Sequence, residues 1–372
     1  MSDEDLPQPD QIEGAPHPRE TARLIGQIAA EDAFLSAFNS DRLHHAWMIT
    51  GAQGVGKATL AWRIARFLLA TPKDDGGMFA APAPSTLDIP ESHPVNARIA
   101  ALSEPALFLL RRPWDEKTKK LKTVISVEEV RGLKSFFALS NPDGGRRVVI
   151  VDAADELNTS SANALLKVLE EPPADCLLLL VTHQPSKLLP TIRSRCRELR
   201  CGELSPDDMA KALEAAGAQV GDSGVALSQL SGGSVGEAFR LLNLDGLTLY
   251  KELTALIETF PRLDRSAALK FAEKAAGRGA EARFDLMLLL MDVALSRLAR
   301  AGLGLIDTQV ASGELRMLAR LSPNEVASRS WAELSAKSSA RARHGQAVNL
   351  DPSSLILDML LSMNDVAGRT AA

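Results

Sequence analysis

The fold of this chain is decided by residues 46–70, AWMITGAQGVGKATLAWRIARFLLA, an apolar run followed by a glycine loop and a helical pattern. The first five residues favour a buried strand, and residues 57–70 repeat apolar side chains at helical spacing. Between them, residues 51–57 match GxxxxGK, a loop whose backbone N–H groups and lysine surround polyphosphate at a helix N-terminus. The motif alone could be an accidental glycine turn, but its flanking strand and helix favour a nucleotide-binding loop.

Nucleotide contacts are predicted for this loop, for the start of its helix and for the ends of two later strands. The predicted residues are Gly51, Gly54, Val55, Gly56, Lys57, Ala58, Thr59, Asp152 and Thr182. Phosphate loops of ATPases place a serine or threonine after the lysine, and its hydroxyl binds Mg²⁺, but this chain has Ala58. Thr59 comes one position late and points about 100° away on a helix. The sequence therefore predicts impaired metal coordination.

The segments after the loop alternate between buried strands and helices. Strands are predicted at residues 106–110, 146–152 and 176–181, and helices at residues 126–139 and 159–170. Such alternation is typical of a parallel sheet covered on both faces, so the first domain is expected to be α/β. From about Ser205 onward the sequence contains no convincing strand, and this part is expected to be helical.

Two segments lack the patterns of packed structure. Residues 1–20 are acidic and proline-rich, and they are expected to form a disordered tail. Residues 71–95 are rich in proline, glycine and alanine without an apolar period, which indicates a mobile insertion.

Composition limits the class of protein. The 372 residues carry 42 basic and 47 acidic side chains, and the formal net charge of -5 argues against a nucleic-acid binder with a globally basic surface. The three cysteines form no CxxC pair, so neither a disulfide framework nor a four-thiolate zinc site is expected. The sequence has no long apolar run and no signal peptide, which predicts a cytoplasmic protein without a membrane partner.

Four stretches carry a resemblance to a known family. They are RLHHAW at residues 42–47, NALLKVLEEPP at residues 163–173, TIRSRC at residues 191–196 and SGGSVGEAFRLL at residues 231–242. In this order they resemble bacterial clamp-loader subunits of the AAA+ class, and specifically the delta-prime family of DNA polymerase III. The resemblance implies an AAA+ P-loop domain over residues 21–203, a small helical lid domain over residues 204–245 and a helical collar over residues 246–372.

The resemblance also implies a site that acts on another chain. Ser194, Arg195 and Cys196 match the family's SRC motif, whose arginine reaches the γ-phosphate of ATP bound to the neighbouring subunit. Such an arginine neutralises charge that develops in the transition state. Thr182 and His183 match the position of a polar sensor of the γ-phosphate, although a polar pair buried in the core is an equal alternative. Without the motif, Arg195 would be interpreted as an ordinary surface arginine.

Two further groups of an active family member are replaced. The residue after Asp152, usually a glutamate that polarises the attacking water, is Ala153. The second sensor arginine is replaced by Gly236. Lys57 is retained, so the sequence predicts that ATP can bind but is not hydrolysed by this chain. Residues 71–105 contain no cysteine, so the zinc module of many relatives is not expected.

A basic run extends from Arg111 to Lys122 and contains Trp114. Cationic side chains could contact DNA phosphates, and the aromatic ring could stack on a base. A solvated loop with Asp115 and Glu116 as counter-charges is the favoured interpretation.

Together with the missing groups, the resemblance implies a non-hydrolysing clamp-loader subunit, part of the DNA polymerase III holoenzyme, which is a nucleotidyltransferase. The implied partners are gamma/tau and delta subunits, with the sliding clamp and primed DNA reached through the complex. One alternative is an active gamma/tau-like ATPase, in which Thr59 and either Asp155 or Glu156 replace the missing groups. Another is a protein-interaction adaptor whose Arg195 has no role on a neighbour.

Overall fold

A computed structural model describes residues 7–40, 42–71, 82–138, 145–277 and 279–370. The chain divides into two compact units, Met1–Gln219 with Gly233–Gly236, and Val220–Gly232 with Glu237–Ala372. Ten residues of the predicted insertion, residues 72–81, lie outside the described part. The three domains expected from the sequence do not coincide with these two units, and their boundaries stay a prediction.

The first unit contains a parallel sheet and its covering helices. In chain order the elements are α1 (Ile28–Asn39), β1 (Ala46–Thr50), α2 (Lys57–Ala70), α3 (Pro94–Ala100), β2 (Leu107–Arg111), β3 (Trp114–Asp115), β4 (Lys120–Leu121), α4 (Val127–Ala138), β5 (Arg147–Asp152), α5 (Thr159–Glu170), β6 (Cys176–Val181), α6 (Pro190–Arg193), β7 (Arg197–Arg200) and α7 (Pro206–Ala215). The strands and helices predicted along this segment are all present, with ends that shift by one or two residues.

The five strands of the main sheet lie in the order β2-β5-β6-β1-β7, and every neighbouring pair is parallel. After β1 the chain forms β2, β5 and β6, which all lie on one side of β1. It then forms β7, which lies on the other side of β1. Ligands of such sheets bind at the carboxyl ends of the strands, where the strand order reverses. The phosphate loop follows β1 at that place. The predicted α/β class with a parallel sheet is confirmed.

Strand β7 was not predicted from the sequence. Only Leu199 of its four residues is buried, so the strand lacks the apolar run that marks β1, β5 and β6. It forms because its backbone pairs with β1, from Trp47 opposite Arg197 to Thr50 opposite Arg200. An edge strand of this kind is specified by its partner rather than by its own side chains.

Residues 7–20 differ from the expected disordered tail. Asp10 lies 2.8 Å from the guanidinium of Arg111 and 3.3 Å from the imidazole of His17. His17 is buried and meets Trp62 edge to face at 6.4 Å between ring centroids. Arg111 and Trp62 are far from residues 7–20 in sequence, so no local pattern predicts these contacts.

The basic run is largely exposed, as expected, but parts of it are ordered in strands. Its residues continue β2 and then form a two-stranded antiparallel hairpin, with Trp114 opposite Leu121. Arg112 pairs with Glu156 at 2.7 Å.

The second unit is helical throughout its described residues. Its helices are α8 (Gly224–Ser231), most of α9 (Val235–Asn243), α10 (Gly246–Glu258), α11 (Arg265–Glu273), α12 (Glu281–Ala301), α13 (Glu314–Leu321), α14 (Glu325–Ala347) and α15 (Pro352–Thr370). Trp331 is fully buried, and its indole N–H donates to the carbonyl of Leu321 at 2.9 Å. Buried Glu314 accepts hydrogen bonds from Arg297 and from the hydroxyl of Tyr250. The predicted helical C-terminal region is confirmed.

No helix in the part of the chain described above is long and apolar enough to cross a lipid bilayer.

Candidate functional site

The loop after β1 has the backbone of a phosphate cradle. Gly51, Gly54 and Gly56 have φ values of +143°, +76° and +100°, which L side chains rarely adopt. A Cβ atom on Gly54 would lie 2.8 Å from the Cα atom of Gly236, so the loop also has no space for a side chain there. Val55 is buried and anchors the loop. The loop therefore requires glycine for both its conformation and its packing.

Lys57 begins α2 and is only 2% exposed. Its ammonium group donates to the carbonyl of Ala52, which closes the loop around the side chain. Burial lowers the pKa of Lys57 to about 8, and the negative charges of Cys201, when ionised, and of Asp152 partly oppose that shift. An ammonium has three donors, so Lys57 can hold the loop and a phosphate oxygen together.

Two polar groups lie at the ends of neighbouring strands on this edge of the sheet. Asp152 ends β5, and Thr182 directly follows its register partner Val181 at the end of β6. Within the described residues, Asp152 Oδ2 and Thr182 Oγ1 are both buried and have no hydrogen-bond partner. Buried polar atoms of this kind are usually satisfied by water or by a ligand. They fit a site that receives a polar ligand.

The electrostatics around Asp152 disfavour its charged form. Burial, followed by the charges of Asp10 and Glu156, raises the pKa of Asp152 to about 7. Lys57 and Arg111 oppose the shift but do not cancel it. A carboxyl group in this state titrates near neutral pH.

The carboxylates that could rescue catalysis are already engaged. Asp155 Oδ1 accepts the backbone N–H of His183 at 2.9 Å, and Glu156 pairs with Arg112. His183 has a pKa lowered to about 4, first by burial and then by Lys57, so its ring is neutral. The polar sensor position therefore consists of a neutral imidazole and the hydroxyl of Thr182.

The first turn of α2 shows what is missing for a metal. Ala58 follows Lys57 with a methyl group where an oxygen donor is needed, and Thr59 is the next residue along the helix. The loop and Lys57 thus fit a phosphate, whereas the donors beside them do not fit the Mg²⁺ site of an ATPase. Among the described residues, no cluster of three or more His, Cys, Asp or Glu side chains could hold a metal ion.

Some supports of the loop were not found from the sequence. Gln27 is buried, and its amide donates to the carbonyls of Val55 at 2.9 Å and Gly202 at 2.8 Å. Ser234 donates to the carbonyl of Gln53 at 2.8 Å. Gln27 belongs to no motif, and Ser234 lies in the family stretch at residues 231–242 but shows no link to Gln53 in the sequence, so only the tertiary structure reveals these contacts.

The SRC residues lie at the other edge of the sheet. Ser194, Arg195 and Cys196 connect α6 to the beginning of β7, which is the amino edge of the parallel strands. Ser194 Oγ donates to the carbonyl of Thr191 at 3.1 Å. Burial raises the pKa of the Cys196 thiol to about 12, so this sulfur is not a nucleophile near neutral pH.

Arg195 is the charged member of this group and is partly exposed. Its guanidinium is 36% exposed, pairs with Glu170 at 2.9 Å and donates to the carbonyl of Thr191 at 2.9 Å. The four residues of β7 separate Arg195 from the carboxyl edge, a rise of roughly 13 Å at 3.3 Å per residue. The structure therefore brings the predicted loop residues together with Asp152 and Thr182, but it does not bring the SRC residues to them.

Comparison with known proteins shows which family the chain resembles. A family model described as "DNA polymerase III, delta subunit" matches residues 26–205. DNA polymerase III subunit delta' of Pseudomonas aeruginosa is 36% identical over 52% of this chain and 57% of its own length. The corresponding subunit of Bacillus subtilis is 31% identical over 48% of this chain and 47% of its length.

These matches support a delta-prime-like clamp-loader subunit. The resemblance predicted from the sequence is thereby confirmed. The delta-prime-like chain is also similar to DNA polymerase III subunit tau of Salmonella typhimurium, at 27% identity over 82% of this chain and 48% of that protein. It spans about half the length of the curated relatives that it matches.

A solved structure, a gamma subunit-related protein from Thermotoga maritima, is 18% identical to the delta-prime-like chain. It covers 90% of this chain and 99% of its own, with a TM-score of 0.39. A score at this level adds nothing to the fold described above.

Proposed function

We propose that this chain is a non-hydrolysing subunit of a DNA polymerase III clamp loader that offers Arg195 to an ATP site on a neighbouring subunit. One observation carries the proposal. Arg195 lies at the amino edge of the sheet, whereas the chain's own phosphate loop follows β1 at the carboxyl edge. An arginine in that place can act only on a phosphate that another chain presents.

The composition of the chain's own site supports the same proposal. Ala58 offers no hydroxyl to a metal, and Ala153 is a buried methyl group where a general base would be needed. Loss of a general base typically costs about 10² to 10⁴ in rate. Gly236 adds no cation and instead packs directly on Gly54. The chain's own site is therefore suited to hold a nucleotide and unsuited to cleave it.

ATP is the proposed ligand of this site. The backbone N–H groups of residues 51–56 and the Lys57 ammonium would hold its phosphates, and Thr182 would contact the terminal phosphate. Bound nucleotide would then stabilise the chain without being consumed. No zinc is part of this proposal.

The proposed partners are gamma/tau and delta subunits, and through them the sliding clamp and primed DNA. In such a complex the neighbouring subunits carry out the ATP chemistry, and Arg195 stabilises the charge that develops on the transferred phosphoryl group.

The test uses the complex reconstituted from this chain with its gamma/tau and delta subunits. Arg195→Ala should slow ATP cleavage at the site that meets this chain by about 10³-fold or more, as for other arginines supplied in trans. Arg193→Ala is the matched control, because Arg193 is exposed and its side chain has no partner among the described residues. The chain alone should show no steady-state ATP turnover.

Two results would contradict the proposal. Turnover near 1 s⁻¹ by the isolated chain, at the low end of enzyme rates, would indicate an active ATPase. An Arg195→Ala complex that cleaves ATP and loads clamps like the wild type would indicate an adaptor.

A further inference from the structure

The Arg195 guanidinium is held by two acceptors on different parts of the chain. One nitrogen donates to the carbonyl of Thr191, and the other lies 2.9 Å from Oε1 of Glu170. A guanidinium has five N–H donors in one plane. Two acceptors at its two terminal nitrogens fix that plane and leave three donors for an anion.

Glu170 provides the firmer of these two anchors. It is the last residue of α5, whose first turn is capped by Asn158 at 2.9 Å from the Ser161 N–H. Near its other end, the carbonyl of Leu169 lies 3.0 Å from Nε2 of His45. Arg195, in contrast, follows a single helical turn, α6. The carboxylate thus belongs to the three-turn helix α5, whereas the guanidinium follows the single turn of α6.

We propose that Glu170 is a positioning residue for Arg195. This inference rests on the trans role proposed above for the arginine. The carboxylate restricts the guanidinium to one plane, so an incoming γ-phosphate meets donors that are already oriented. Both side chains are partly exposed, at 36% and 49%. The ion pair therefore contributes little free energy by itself. The expected contribution to the rate is therefore modest.

The experiment measures ATP turnover by the assembled complex and defines its Arg195-dependent part as the difference between wild type and Arg195→Ala. Glu170→Ala should lower this part roughly two- to five-fold, the range that an exposed ion pair allows. The effect should be on kcat, with KM for ATP unchanged, since Glu170 does not touch the nucleotide. Glu170→Gln keeps an acceptor oxygen and should recover most of the rate.

Glu171→Ala is the matched control. Glu171 is the next residue, it is exposed, and its side chain has no partner among the described residues, so this complex should behave as wild type. In the Arg195→Ala background, Glu170→Ala should have no further effect, because the group that it positions is gone. Each complex is first checked for complete assembly.

The outcomes separate this inference from the proposed function. If Arg195→Ala slows the complex while Glu170→Ala matches or exceeds the wild type, the positioning role is wrong and the trans arginine stands. The positioning role is also wrong if Glu170→Ala slows the complex equally without Arg195. If Arg195→Ala itself has no effect, both proposals fall.

Discussion

The two edges of one sheet carry two cations in opposite environments. At the carboxyl edge Lys57 is 2% exposed and enclosed by its loop, and at the amino edge Arg195 is 36% exposed and paired with Glu170. The buried lysine can serve only a ligand that enters the chain's own crevice. The exposed arginine can serve only a group brought by another molecule. The proposed function therefore places nucleotide binding and catalytic assistance at different edges, and it predicts that each can be altered without the other.

The largest expected effect comes from filling the phosphate loop. Gly54→Ala places a methyl group against the backbone of Gly236 at a residue with φ of +76°. The strained conformation and the overpacking should together cost about 2–4 kcal/mol of unfolding free energy. Chemical denaturation of the purified chain measures this loss.

Gly202→Ala is the control for that substitution. A Cβ atom added at Gly202 would have no other atom within 4 Å. The unfolding free energy of the Gly202→Ala chain should therefore differ from that of the wild type by less than about 0.5 kcal/mol. Equal losses in the two variants would show that the packing of Gly54 against Gly236 is not what distinguishes the loop.

The next effect concerns nucleotide affinity. Lys57→Ala removes a charge-assisted hydrogen bond to phosphate and should weaken binding of a non-hydrolysable ATP analogue by about 10- to 100-fold. Arg195→Ala should leave this affinity unchanged, because the arginine lies at the other edge. Fluorescence titration of the isolated chain measures both. A weaker affinity in the Arg195 variant would contradict the separate roles of the two edges.

The same titration has a predicted pH dependence. The protonated lysine binds phosphate, and the pKa of Lys57 is about 8, a value that a bound phosphate would raise. Above about pH 8 the affinity of the wild type should therefore fall as Lys57 loses its proton. In Lys57→Ala this fall should be absent, whereas a fall that persists would assign the titration to another group.

Asp152→Asn tests the electrostatics of the carboxyl edge. Because the pKa of Asp152 rises from 3.8 to about 7 on folding, its protonated form favours the folded state. That stabilisation is complete below pH 3.8 and is lost as the pH rises through 7. The variant should therefore gain stability relative to wild type between pH 4.5 and pH 8, by on the order of 3 kcal/mol. Thermal unfolding of both proteins at the two pH values measures the gain. A stability difference between variant and wild type that is the same at both pH values would contradict the prediction.

The smallest effect is expected from Ala58→Ser. The new hydroxyl offers a metal ligand beside Lys57, so Mg²⁺ should strengthen binding of the ATP analogue by a few-fold in the variant and less in the wild type. Hydrolysis should stay absent, because Ala153 still provides no base. Steady-state turnover by this single variant would show that the missing hydroxyl was the decisive loss.

Much of the carboxyl edge could be predicted from the sequence. The strand, loop and α2 are contiguous, and β5 and β6 are apolar runs that end at Asp152 and directly before Thr182. Parallel strands align their carboxyl ends, so these residues were expected to meet. The placement of Gln27 and Asp10 was not predictable, because each acts through contacts with residues distant in sequence.

The sequence by itself determined which chemical groups this protein has and lacks, since GxxxxGK, Ala58, Ala153 and the SRC motif are read from adjacent residues. The tertiary structure alone decided where those groups lie relative to one another. It placed β7 beside β1 and so put Arg195 at the edge away from Lys57. The physical reason is that strand pairing joins segments about 150 residues apart through backbone hydrogen bonds, which every residue type except proline can donate and accept.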